Sequence, residues 1–203
     1  MGQDNTVASD VQEDTASEVS PEVVSMLVEA LSGPNRRRRQ EAAHSIALAA
    51  QANPALFLAH ADELIDALYR PEAQTRWEVF AALYAIAATR PDVVAEAYDA
   101  AEASLFDEDS AVVRLAAFRL LVRLGASSPE QSDRVWPLID EAIQCYHGDP
   151  EYRDMLVALQ ELAKGAISDE TRAALVARVG FDAENGHGYV RAISAEVVQA
   201  ANA

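Results

Sequence analysis

One cysteine, one lysine and few aromatic side chains in 203 positions already narrow what this chain can be. Cys145 alone excludes an internal disulfide and is too little for a cysteine-based zinc site. Basic residues are scarce beside acidic ones, 16 against 33, for a formal net charge of −17. Nucleic-acid affinity comes largely from Lys and Arg neutralising phosphates, so this balance argues against a nucleic-acid partner. No apolar run approaches the ~20 residues that cross a bilayer. The N-terminus lacks the basic-then-apolar pattern of a secretory leader. These absences lead us to expect no membrane association and a cytoplasmic location. Strand patterning is also missing, because Val and Ile never alternate with polar residues over a strand's length.

Alanine and large aliphatic residues at helical spacing take the place of what is missing, and an all-α fold is expected. Residues 1–19 carry five acidic side chains, no basic one and no aromatic. They cannot bury enough apolar surface to offset the entropy of ordering, so a disordered acidic tail is expected. Order is expected from "SPEVVSMLVEAL", with Ser20 as cap and Pro21 in the first turn. From there the chain repeats. "RRQEAAHSIALAAQANP" (38–54), "TRWEVFAALYAIAATRP" (75–91) and "VRLAAFRLLVRLGASSP" (113–129) align in one register. Arg39, Arg76 and Arg114 coincide, as do Ile46, Leu83 and Leu121, and Pro54, Pro91 and Pro129. A degenerate fourth unit follows, in which Tyr152 takes the arginine's column. Each unit reads as a helical hairpin: 20–53, 54–90, 91–128 and 129–165. Residues 166–203 read as capping helices, with Ser168 as a cap and "GFDAENGHG" as a loop between them.

These hairpins resemble HEAT repeats. The resemblance rests on "DEDSAVVRLAAFRLL", on the similar turn chemistry of "GDPEYRDMLVAL", and on Pro137 inside "VWPLID", and it covers about residues 20–165. It implies a right-handed α-α superhelix, a solenoid of about four HEAT-like repeats, whose second helices line a concave face used mainly to hold other proteins. A non-catalytic scaffold binding a protein or peptide is therefore the expected function, with no cofactor and no metal. Two relatives with similar repeats give alternatives: an enzyme like the HEAT-like bilin lyases, drawing on His44, Trp77, Tyr84 and Arg119, and a binder like the HEAT-like DNA glycosylases, drawing on Trp77 and Arg119.

Counting from the framework arginine as zero, apolar residues recur at +3, +4, +7, +10 and +11. At about 100° per residue the arginine falls on the same side. A buried guanidinium needs a carboxylate or carbonyl partner, so Arg39, Arg76 and Arg114 are expected to form a structural ladder with acidic turn residues, Glu72, Asp107 and Asp109 being available. Arg36, Arg37 and Arg38 remain in the first turn of their helix. They are a solvated cluster facing the acidic tail of their own chain, a docking site for an acidic or phosphorylated partner, or a nucleic-acid contact, which the charge of the rest of the chain opposes. Positions +1, +5 and +8 form a stripe about 130° from the core centre: Gln40, His44 and Ala47; Trp77, Ala81 and Tyr84; Leu115, Arg119 and Val122. Trp, Tyr and Arg commonly anchor protein partners, so this stripe is the expected binding groove. The competing reading packs Trp77 and Tyr84 between neighbouring repeats.

Overall fold

The computed structural model describes residues 19–203, so the expected acidic tail, and any contact it makes with Arg36–Arg39, lies outside the described residues apart from Val19. The helices are α1 (Pro21–Ser32), α2 (Arg36–Ala52), α3 (Ala61–Ala67), α4 (Ala73–Ala87), α5 (Pro91–Val94), α6 (Tyr98–Leu105), α7 (Ala111–Gly125), α8 (Pro129–Cys145), α9 (Tyr152–Lys164), α10 (Asp169–Asn185) and α11 (Gly188–Ala201). Short 3₁₀ segments, Pro54–His60 before α3 and Ala95–Ala97 between α5 and α6, interrupt the first helices of the second and third hairpins. Single unbroken helices are what the sequence pattern suggests there. Tight turns of this kind are common at helix starts, where i→i+3 bonds absorb a change of chain direction.

Five hairpins stack in chain order. Side-chain caps set many of the helix starts: Ser20, Asn35, Ser110, Ser128 and Ser168 each accept a bond from a first-turn amide. Glu72 precedes α4 without capping it, because its carboxylate is committed elsewhere. The second helices pack on one another in sequence, α2 on α4, α4 on α7, α7 on α9 and α9 on α11. The apolar positions assigned from the arginine register, such as Val79, Phe80, Leu83, Ile86 and Ala87, are buried in one continuous core. An α-carbon hydrogen is all that fits at two junctions. A Cβ on Gly125 would meet the Val135 side chain at 2.5 Å, and one on Gly165 would meet Ala126 at 2.6 Å. Beside the second, the Ala166 amide donates to the Ala126 carbonyl at 2.9 Å.

The segment expected to be a loop at 180–188 is largely helix. α10 runs to Asn185, leaving Gly186 and His187 as the connection. A single glycine inside a helix costs only about 1 kcal/mol, and α10 packs on α8 and α11, which outweighs it. α10 and α11 therefore form a fifth hairpin: α10 lies on α8 and α11 on α9, as earlier hairpins lie on their predecessors. Among the described residues no helix is long and apolar enough to cross a membrane.

Candidate functional site

The framework arginines occupy the interior, each reaching the turn of the next hairpin. Arg39 pairs with Glu72 and donates to the Gly33 carbonyl at 2.8 Å. Arg76 donates to Asp107 at 2.7 Å. Arg114 donates to Glu151 at 2.9 Å and to the Asp107 carbonyl at 2.7 Å. Asp107 thus takes one arginine on its side chain and the next on its backbone. Asp109 takes none, its amide donating instead to the Asp107 carboxylate. The bond from Arg39 holds the Glu72 carboxyl below its ordinary value despite burial. Burial pushes against ionisation at Asp107, yet Arg76 and the Asp109 and Ser110 amides hold it below its ordinary value too. Tyr152 continues the column with a hydroxyl: it is buried and donates to Asp182 of the fifth hairpin at 3.3 Å.

A second, outer set of rungs runs along the second helices, joining position +5 of one hairpin to +2 of the next. His44 Nδ1 lies 2.8 Å from Glu78, which is buried. Arg119 lies 3.6 Å from Asp154. Between these two, at the junction of the second and third hairpins, the same positions are Ala81 and Ala116. No charged pair can form there, and a depression of about 500 Å³ opens instead. Trp77, Phe80, Ala81 and Tyr84 of α4 form one wall; Val112, Leu115, Ala116 and Arg119 of α7 form the other; Gln51 of α2 closes an end. That volume falls within the roughly 300–1,000 Å³ of ligand sites.

Tyr84 fixes the shape of this surface. Its hydroxyl donates to Glu161 on α9 at 2.6 Å, passing over α7, and accepts from Arg123 at 2.5 Å. The Arg123 guanidinium lies 3.9 Å from the centre of the Tyr84 ring and also pairs with Glu161. Side chains two hairpins apart meet only where helices converge, so the second-helix face curves inward here. Burial, then the Glu161 carboxylate, raises the Tyr84 hydroxyl above its ordinary value and keeps it a donor.

The stripe read from the sequence is thus divided. Trp77, Ala81, Tyr84, Leu115 and Arg119 converge on the depression, with Trp77 and Tyr84 half-buried against the core and still lining it. Val122 and Ala47, both at +8, do not belong: they are buried, because the next hairpin covers that flank of the second helix. Gln40 and His44 lie one hairpin away, and His44 is turned to Glu78. Arg36, Arg37 and Arg38 are exposed at the start of α2. Arg37 donates to Glu41 at 2.7 Å, while Arg36 and Arg38 have no ion-pair partner among the described residues. Reading from the sequence misses Val112, Ala116 and Gln51. A comparison of columns +5 and +2 across hairpins would find the gap they surround. No group of His, Cys, Asp or Glu that could hold a metal occurs among the described residues.

Charge is divided between the two layers. The first helices of the four leading hairpins carry thirteen acidic side chains and one basic, Arg134, which lies over the Tyr98 ring. Their second helices carry ten basic and four acidic. Three of those arginines are the interior ladder, and Glu108, Asp109 and Asp149 in the turns offset part of the remainder.

No protein-family model matches the chain, and no curated protein matches it in sequence. Solved structures do match. A designed armadillo repeat protein in complex with the peptide (KR)4 superposes with a TM-score of 0.73 at 17% identity, over 89% of this chain and 82% of that one. The fold is that of a HEAT- and armadillo-like solenoid. An engineered protein, a Northeast Structural Genomics Consortium target, gives a TM-score of 0.71 at 17% identity, over 88% of this solenoid and 78% of that chain. The archaeal HEAT-like repeats protein from Thermococcus onnurineus NA1 gives 0.60 at 14% identity, over 90% and 71%. At these identities the likeness establishes the shared fold.

Proposed function

We propose that the chain is a non-catalytic scaffold that holds a peptide, or an extended segment of another protein, along its second-helix groove. The observation that carries this reading is the apolar depression where Ala81 and Ala116 leave an outer rung unmade. An aromatic wall, an inward-curving face and a pocket large enough for a bulky side chain are what a peptide anchor needs. That a designed armadillo repeat protein of the same fold was solved with a peptide supports the reading. Arg36, Arg37 and Arg38 lie outside the anchor and add a second attachment for acidic groups; the acidic residues of segment 1–19 are competitors for it within the chain itself.

The test is to restore the missing rung. Ala81→Arg with Ala116→Glu places at this junction the kind of pair found on either side. Random-peptide selection on the full-length protein should yield ligands sharing one large apolar residue. Those ligands should lose at least tenfold in affinity for the double variant while its melting curve stays that of a folded protein. Ligands that bind both proteins equally would remove the reading.

A further inference from the structure

We infer that the segment held in this groove carries a carboxylate beside its apolar anchor, and that Arg119 reads it. The inference rests on the peptide-binding reading above and names the partner's chemistry at the same site. Among the described residues, Arg119 is the only charged side chain lining the depression. It is about half exposed, and its ion-pair partner, Asp154, lies 3.6 Å away and is equally exposed. A guanidinium has five N–H donors, so a pair that loose leaves donors directed at an incoming group. The Tyr84 hydroxyl is already engaged by Glu161 and Arg123, and Gln51 and Trp77, which also line the depression, offer only neutral N–H donors. A basic side chain entering the groove would meet Arg119 and find no vacant carboxylate among the lining residues. Basic segments are drawn instead to the first-helix layer, with its thirteen acidic side chains. The chain's charge of −17 does not prevent an anionic segment from binding. At physiological salt, charges farther than about 8 Å are largely screened, so the nearby guanidinium decides.

The experiment uses the full-length protein and three end-blocked nonapeptides, each with one central Phe flanked on both sides by Glu, Gln or Lys. The Glu peptide should bind about tenfold tighter than the Gln peptide, as expected for a charge-assisted hydrogen bond, and the Lys peptide more weakly than either. Arg119→Gln should level the Glu and Gln peptides, Arg119→Lys should keep the preference for Glu, and Arg119→Glu should turn it toward Lys. Arg119 is exposed, so each variant should melt as the parent does. Equal affinity of the parent for the Glu and Gln peptides, both lost in the Ala81→Arg/Ala116→Glu variant, overturns this inference and leaves the groove standing. Binding of none of the three overturns both. Displacement of the Glu peptide by an equal concentration of decanoate would mark a site for small amphipathic anions and overturn the peptide as occupant.

Discussion

The junction between the second and third hairpins differs from the junctions on either side of it. Between hairpins one and two, and again between three and four, an interior arginine reaches a turn carboxylate and a charged +5/+2 pair joins the second helices. The middle junction keeps the interior rung, Arg76 to Asp107, and has alanines in place of the +5/+2 pair, its outer link being the Arg123–Tyr84 contact farther along the helices. Its interior rung is also the sparsest, since Arg76 donates through one nitrogen while its buried Nε has no partner. Arg114, by contrast, bonds Glu151 and the Asp107 carbonyl and lies over the Tyr146 ring. In a stacked array, stability is close to a sum of hairpin and neighbour terms. A junction without the charged +5/+2 pair is where an array yields surface for binding at least loss of order.

The largest effect that would sharpen this contrast is the loss of an interior rung. Arg114→Ala strands the buried Glu151 carboxylate and should lower stability by about 3–5 kcal/mol. Arg76→Ala should lower it by less, about 1–3 kcal/mol, because Asp107 keeps its bond from the Asp109 amide. Urea unfolding of both variants gives the ranking, and equal losses would break it. Acid comes next. Glu72 and Asp107 have folded-state values below their ordinary ones, so their contribution is present above those ordinary values and lost as pH falls through the lowered ones. The melting temperature should therefore fall steeply below about pH 4.5, the ordinary value for Glu72. In Glu72→Gln, melting should begin lower at neutral pH and decline less steeply into acid. The smallest effect concerns the cluster that first draws attention. Joint replacement of Arg36, Arg37 and Arg38 by alanine should leave the urea midpoint unchanged, since exposed pairs such as Arg37–Glu41 contribute little. A loss comparable with that of Arg76→Ala would place those side chains in the framework.

The ladder was legible in the sequence because arginine, a large aliphatic residue and proline recur in one register, and each constrains a different part of the hairpin. Its third partner, Glu151, was not. Glu72, Asp107 and Glu151 lie four, seven and one residues before the zero position of their own hairpins. Which turn residue meets the guanidinium therefore depends on the turn's path rather than on spacing. Val122 was misplaced for a related reason: helical geometry gives the angle of a side chain on its own helix, while its burial depends on the neighbouring hairpin. Ala81 and Ala116 carry the site by being small. In an alanine-rich chain that signal is silent until the flanking pairs, His44–Glu78 and Arg119–Asp154, show what is missing.

Two tryptophans allow a direct test of the claim that partners enter at the middle junction. Trp77 lines the depression, and Trp136 lies on the first-helix layer, between α8 and α10. With the protein labelled at the indole nitrogens, titration of a selected peptide should shift or broaden the Trp77 signal and leave the Trp136 signal in place. Movement of Trp136 alone, or of neither signal at saturating peptide, would contradict the account.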